Sequence, residues 1–294
     1  MERSLTPKQV AQAIGVSEAS LKRWCDQGLL PTQRTAGGHR RLPLEGVIQY
    51  LRSTGRVLVK PEVLGLPSVT GQGEALIVRE VASIQHALEL GDEELFRRQV
   101  LNLYMSGKSI CEICDRAITP AFQGIGEQWE HGTIDVYQER RACEICKVVL
   151  NELRKLSKPL PSTAPLAIGG TLSGDMYLVP TSIAEVVLRE AGWNAQNLGT
   201  NLPCESFCAA MKNLRPRILW LSVSFIESLE AFLREYDALY DSATELHVAV
   251  VLGGNALTPE IRARIRYAAF CDTFAHLVSF SASLTIQQSS SQTV

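Results

Sequence analysis

The chain has 294 residues, 46 % of them apolar, which is long enough for two or three domains. No apolar run approaches the roughly 20 residues a membrane span needs, and Met1–Thr6 lacks the apolar core of a secretory signal, so a cytoplasmic protein without a membrane partner is expected. Eight cysteines in that setting point to reduced thiols or metal ligands rather than a disulfide framework, and the net charge of −2 is unevenly spread. Up to Arg56 there are nine Lys/Arg against four Asp/Glu, a balance of +5, which leaves −7 for the remainder. A basic module joined to an acidic body implies that the first domain meets a polyanion.

Thr6-Pro7-Lys8-Gln9 combines an N-cap, a proline at the first helical position and a Gln three residues on, which predicts a helix through Ile14 that Gly15 ends. Ser17 caps a second helix to about Asp26, with Gly28 just beyond, and Val10, Ile14, Val16, Leu21 and Trp24 are its candidate core. Glu18, Ser20, Lys22 and Arg23 fall away from Leu21 and Trp24, so polar and basic groups face outward near the N-terminal half of the second helix. Thr32–Thr35 and His39–Leu42 flank Ala36-Gly37-Gly38 as a hairpin carrying Arg34, His39, Arg40 and Arg41, with the glycines expected at positive φ.

These residues, Leu5 to Ala11, Gly15-Val16-Ser17, Leu21 to Trp24 and Arg34 to Arg41, resemble the winged helix-turn-helix of the MerR and excisionase-type families over roughly 50 residues. The resemblance implies that residues 1–56 bind a double-stranded DNA operator. The expected contacts are Ser20, Lys22, Arg23, Arg34, Thr35, His39, Arg40 and Arg41.

Pro61, Gly65, Pro67, Gly71 and Gly73 mark residues 57–73 as a linker that separates DNA binding from sensing. From 74 to 158 helical spacing dominates, through Ile77, Val81, Ile84 and Leu88, then Leu95, Val100 and Leu103, then Ile110, Ile113, Ile118 and Phe122, then Ala142, Ile145, Val149 and Leu153. Breaks at Gly91, Gly107 and Gly132 predict about four helices in an antiparallel four-helix bundle. Cys111-Glu112-Ile113-Cys114 recurs as Cys143-Glu144-Ile145-Cys146, placing two thiols at i and i+3 each time. Core packing is the default for such cysteines. Four thiolates holding a metal or an iron–sulfur cluster is the alternative.

The spacing from Trp129 to Glu139 is similar to the Trp-x9-Glu-His signature of helical caps that lie over the upper ligand of cobalamin in the photoreceptor repressors of the CarA, CarH and LitR group. Arg140 stands here where those proteins have His.

From Leu166 strand-like and helical runs alternate: Leu166–Gly170, Val179–Ala191, Ala195–Leu198, Cys204–Leu214, Ile218–Ser224, Leu229–Tyr240, Leu246–Leu252 and Pro259–Tyr267. That rhythm predicts a Rossmann-like α/β parallel sheet over 164–284, with ligands beyond its carboxyl edge, and residues 285–294 read as a disordered tail. Gly174-Asp175-Met176-Tyr177-Leu178-Val179-Pro180, with Ser222, Ser224, Gly253 and Gly254, resembles the cobalamin-binding domain over about 110 residues. In that family an Asp-x-His-x-x-Gly motif supplies the lower axial His, with its Asp orienting the imidazole. Asp175 is present, but Tyr177 replaces the His and Pro180 the Gly. The resemblance therefore implies cobalamin or another tetrapyrrole bound without His ligation, or no ligand at all.

His86, His131, His247 and His276 show no metal spacing, and no Ser-His-Asp, P-loop or zinc-protease pattern appears, so no enzyme is expected. The whole is expected to be a homo-dimeric or homo-tetrameric, ligand- or light-linked transcriptional regulator. Rival readings are a corrinoid carrier for methyl transfer, a regulator with a Cys-ligated metal, and a ligand-free degenerate sensor.

Overall fold

The computed structural model describes residues 4–35, 37–54, 56, 58–66 and 74–291, with backbone alone over 74–80 and 286–291. The chain divides into two compact units, Met1–Lys158 and Pro159–Val294.

In the first unit Thr6 opens α1 (Pro7–Ile14) with the predicted reciprocal cap: its hydroxyl accepts the Gln9 N–H at 3.2 Å, and Gln9 Oε1 accepts the Thr6 N–H at 2.9 Å. Gly15, at φ +76, closes the helix in the left-handed region that glycine enters at no steric cost. Ser17 caps α2 (Glu18–Asp26) by accepting the Ser20 N–H at 3.1 Å. Strands β1 (Ser4–Leu5), β2 (Gln33–Arg34) and β3 (Arg40–Pro43) pair antiparallel in the order β1-β3-β2. Helix α3 (Leu44–Thr54) follows directly, and Val10, Ile14, Leu21, Leu30, Leu42, Val47 and Ile48 form the small core. Trp24, expected inside, is half-buried: its ring lies 5.6 Å from Tyr50 and 4.7 Å below the Arg56 guanidinium, because an indole at the rim serves as a cation platform. Val16 is likewise half-buried. Gly46 packs under Pro31, where a Cβ would collide with the proline ring.

The expected linker is a packed element along its first part. Leu58, Pro61, Leu64 and Leu66 are buried, a 3-10 turn (Pro61–Leu64) lies on α1, and the Val59 and Lys60 N–H groups donate to the Ala13 carbonyl at 2.8 and 3.1 Å. Pro61 and Gly65 start and end that turn, which is why they resemble linker residues in sequence. Residues 67–73 lie outside the described residues.

Beyond them run α4 (Glu74–Leu90), α5 (Glu93–Met105), α6 (Ile110–Ile113), α7 (Thr119–Glu130) and α8 (Val136–Leu156). The predicted breaks hold, with Gly91, Gly107 and Gly132 at φ +74, +96 and +68. One π-type turn, Cys114–Ile118, joins α6 to α7. Pro120 lies just after it and has no N–H with which to continue the i→i−4 ladder, a setting in which helices widen by one residue. Helix α4 packs on α5, α7 and α8 over a core that includes Ile84, Leu88, Phe96, Val100, Ile118, Val149 and Leu153. Arg97 on α5 clasps Glu152 on α8 through two N–H···O contacts of 2.6 Å.

The second unit is a five-stranded parallel sheet of β4 (Leu166–Gly170), β5 (Asn194–Asn197), β6 (Ile218–Ser222), β7 (Ala249–Gly253) and β8 (Ala269–Phe270) in the order β5-β4-β6-β7-β8. Helices α9 (Leu178–Glu190), α10 (Cys204–Leu214), α11 (Leu229–Glu245), α12 (Pro259–Arg262) and α13 (Phe274–Ser291) alternate with the strands. Ile168, Phe207, Leu219, Leu221, Tyr236 and Val250 fill one face of the sheet, and Ala167, Leu188, Trp193, Trp220, Val251 and Leu277 the other. This alternation is that of a sheet covered on both sides.

Two expectations fail here. The helix over Pro259–Tyr267 is a single turn, because the chain re-enters the sheet when the Ala268 N–H donates to the Val250 carbonyl at 2.8 Å. Of the tail expected over 285–294, residues 285–291 continue the last helix, whose first half is anchored by buried Leu277 and Ser281, and residues 292–294 lie outside the described residues.

Candidate functional site

On the helix-turn-helix, Lys22, Arg23, Arg34, Thr35 and His39 are exposed as predicted, and Ser20 is half-buried. Lys22 pairs with Glu18 at 2.9 Å along the outer face of α2. The Thr35 N–H donates to the His39 carbonyl at 2.9 Å and the His39 N–H to Thr35 Oγ1 at 3.2 Å, closing the hairpin through Gly38 at φ +78. Gly37, expected at positive φ, is not, and Ala36 lies outside the described residues.

Arg40 makes contacts within the module. Its guanidinium turns inward to donate to the Lys22 carbonyl at 3.1 Å and to Asp26, leaving 23 % of the side chain exposed. It fastens the hairpin to the end of α2. Arg41 is half-buried and donates to the Arg40 carbonyl at 3.3 Å. Exposed basic side chains among the described residues of this module thus include Lys8, Lys22, Arg23, Arg34 and Arg56.

In the helical part of the same unit, Trp129 ends α7 with 45 % exposure, so it is not the core tryptophan that a bundle usually holds. Val136 and Tyr137, at the start of α8, are 49 % and 64 % exposed. Glu139, one turn in, accepts the Cys143 thiol at 3.2 Å and faces Arg140 Nε at 3.4 Å. Arg141 reaches across to the Glu89 carbonyl at 2.7 Å and ties α8 to the end of α4. The paired Cys-x-x-Cys sequences do not assemble: among the described residues no three His, Cys, Asp or Glu side chains converge as a metal site requires. Cys114 and Cys146 are buried, and burial pushes the Cys143 and Cys146 thiols far above the ordinary range. Cys111 and Cys143, the other member of each pair, are half-buried.

In the second unit the strand order reverses between β4 and β6, where open α/β sheets present their crevice. Asp175, 1 % exposed, sits across that point. Its Oδ1 accepts the Tyr177 N–H at 2.9 Å, and its Oδ2 accepts the Ser224 and Phe225 N–H groups at 2.6 and 3.2 Å. One carboxylate therefore staples the loop after β4 to the loop after β6. Burial raises its pKa while the three N–H groups pull it down. Met176, Tyr177 and Phe225, next to that staple, are 52 %, 41 % and 47 % exposed, an apolar surface with a phenol in it. Ser222 is buried at the end of β6, and Ser224 is half-buried. Gly254, at φ +119, passes against the Val223 backbone so closely that a Cβ would overlap it, and the Gly253 carbonyl accepts the Val223 N–H at 2.8 Å.

Asn201, Thr171, Asp26, Gln49 and Arg52 were not foreseen. Asn201, at φ +58, accepts the Gly174 N–H on its side chain at 2.8 Å, and its own N–H donates to the buried Thr171 hydroxyl at 2.9 Å. An Asn two residues after Gly199 was the available signal, since Asn tolerates the left-handed region.

Residues 4–55 match the family profile described as a helix-turn-helix domain, and residues 81–154 the one described as a B12 binding domain. Trimethylamine corrinoid protein 1 of Methanosarcina mazei is 23 % identical over 184 residues, spanning 61 % of this chain and 85 % of that protein. Dimethylamine corrinoid protein 1 of Methanosarcina acetivorans is 20 % identical over 149 residues, 50 % of this chain and 70 % of that one. The monomethylamine corrinoid protein of Methanosarcina barkeri has a similar fold, with a TM-score of 0.55 at 17 % identity over 68 % of this chain and 96 % of the other. The chain joins a helix-turn-helix region to a B12-binding-type helical region followed by a parallel Rossmann-like sheet, and among the described residues no helix is long and apolar enough to cross a membrane.

Proposed function

We propose that this protein is a DNA-binding transcriptional regulator of MerR type, not an enzyme, whose helical and Rossmann-like regions sense a corrinoid and thereby set operator affinity. The observation that carries this reading is the presence in one compact unit of a helix-turn-helix with exposed Lys22, Arg23 and Arg34 and a B12-binding-type region, residues 81–154. Phosphate contacts by such side chains supply most of the affinity for DNA, and the polar N-terminal half of α2 is the part that reaches base edges.

Each unit by itself carries exposed apolar side chains suited to lie against the face of a macrocycle: Trp129, Val136 and Tyr137 in the first, and Met176, Tyr177 and Phe225 in the second. Asp175 is fully engaged by backbone N–H groups and holds no imidazole, and Tyr177 is a weaker, harder ligand for cobalt than His. A bound corrinoid would supply a bulky, light-absorbing ligand whose upper substituent distinguishes its forms. The protein would grip it by surface burial.

A second reading, a corrinoid carrier for methyl transfer, draws support from the relatives, which are named as methylamine corrinoid proteins. It gives the basic helix-turn-helix no role. Selection of bound sequences from a random DNA pool with the purified full chain separates the two. Recovery of a two-fold symmetric site, bound with different affinity with and without hydroxocobalamin or adenosylcobalamin, in darkness and light, supports the regulator and a dimer or tetramer. Failure to enrich any sequence, with cobalamin bound, favours the carrier.

A further inference from the structure

Helix α3 closes the helix-turn-helix on one side and meets α8 on the other. Two of its polar side chains end on the carboxyl termini of neighbouring helices. The Arg52 guanidinium lies 4.0 Å over the Tyr104 ring while donating to the Tyr104 and Lys108 carbonyls at 3.4 and 3.1 Å, at the end of α5. Gln49 Nε2 donates to the Ser157 carbonyl at 3.3 Å, at the end of α8, and the Tyr104 hydroxyl donates to the Leu156 carbonyl at 3.5 Å. The last carbonyls of a helix have no donor within it and carry the negative end of its dipole, so a cation and an amide placed there answer two needs at once.

The outer face of the second helix is untouched by this docking, since Glu18, Ala19, Lys22 and Arg23 remain exposed. The contact therefore aims the DNA-reading helix without masking it. Helix α8 has 21 residues and spans roughly 30 Å. Its first turn holds Glu139, and its last holds the contact with α3.

We propose that Arg52 and Gln49 form a tether that fixes the DNA-binding module to the carboxyl ends of α5 and α8, so that a change at the Trp129 and Glu139 end of α8 is carried to α2 as the tilt of one rigid rod. This rests on the regulator reading above and adds its mechanical link. Coupling of this kind requires an element that both sites bias, and α8 is that element.

The test compares full-length wild type, Arg52→Ala, Arg52→Lys and Gln49→Ala. Arg52→Lys keeps the charge but loses the flat fork and the stacking. Backbone amide exchange over 44–54 and 103–108 should accelerate about tenfold in Arg52→Ala and less in Arg52→Lys, with the sheet at 166–170 and 218–222 unchanged. On a DNA site selected by wild type, the ratio of affinities with and without hydroxocobalamin should fall to about one in Arg52→Ala while hydroxocobalamin still binds as in wild type. Unchanged exchange in Arg52→Ala overturns the tether. Faster exchange with an undiminished ratio overturns its role in coupling. A wild type that selects no DNA refutes the function proposed above instead, and the exchange comparison then decides the tether by itself.

Discussion

Arg40 and Asp26 join the tip-proximal strand of the hairpin to the last residue of α2, and the Lys22 carbonyl completes the clamp. The pair is exposed on the Asp26 side, so its contribution to folding is small, but it fixes the hairpin against α2, the two parts of the proposed DNA-binding surface. Arg40→Ala and Asp26→Asn should both weaken binding to a selected site severalfold, while the slope of log affinity against log salt concentration stays at the wild-type value. Arg34→Ala, which removes a proposed phosphate contact, should lower that slope by about 0.9. Fluorescence anisotropy titrations at several salt concentrations measure both quantities, and a slope loss in Asp26→Asn would show that the clamp itself neutralises phosphate.

Trp129 is exposed, so Trp129→Ala should change thermal stability little, within about 1 kcal/mol, yet weaken cobalamin binding at least tenfold if the indole lies over the macrocycle. Absorbance titration with hydroxocobalamin alongside a thermal melt reads the two effects separately. A large loss of stability with unchanged binding would return Trp129 to a packing role.

Asp175 accepts three backbone N–H groups within the sheet unit, and an amide at this position would turn its NH2 toward at least one of them. Asp175→Asn should therefore cost about 2–4 kcal/mol at neutral pH, measured by urea unfolding. The pH dependence has a definite sign. Burial raises the folded pKa, so the unfolded chain ionises first, near about 3.9, and this group's contribution is full below that value. It is lost as pH rises to the folded value and is level above it. The difference in stability between wild type and Asp175→Asn should shrink across that window as pH rises, and a difference that grows would mean that the three N–H groups outweigh burial.

Gly254→Ala places a Cβ on the Val223 backbone and forces a side chain to φ +119. The expected cost is about 3 kcal/mol or more, since backbone has to move. Gly28, also at positive φ but with open space around it, provides the control: Gly28→Ala should cost only about 1 kcal/mol in the same unfolding assay.

The Arg97 and Glu152 pair is mostly buried, with 18 % and 26 % of the side chains exposed, and Glu152 is what raises the Arg97 pKa most. Glu152→Gln should lower the stability of the helical unit by about 1–2 kcal/mol, less than for a fully buried pair because solvent still screens it. Chemical denaturation of the full chain, followed by amide exchange on α5, checks that the loss falls on this unit.

Local chemistry was the legible part of the sequence. The Thr6 and Ser17 caps, the glycines that end α1, α4 and α5, and the alternation of strands with helices after Leu166 depend on neighbours within a few residues, and they appear where the residues indicate. What depended on distant partners was not legible. Nothing around Arg40 announces Asp26, nothing around Arg52 announces the ends of α5 and α8, and the residues that make 57–73 resemble a linker, Pro61 and Gly65, also build a turn that packs on α1. Asp175 was found through its motif, but its partners in the loop after β6 lie about fifty residues away and could be known only from the fold.

The sheet's two margins are unequal but both poor for strand addition. β8 offers two residues and β5 four, Asn194, Ala195, Gln196 and Asn197, so either edge gives an incoming strand few backbone groups to pair with. An incoming chain would find little free backbone and no apolar ridge on which to continue the ladder. Pairing of this sheet with another chain along its edges is therefore limited to a few backbone hydrogen bonds.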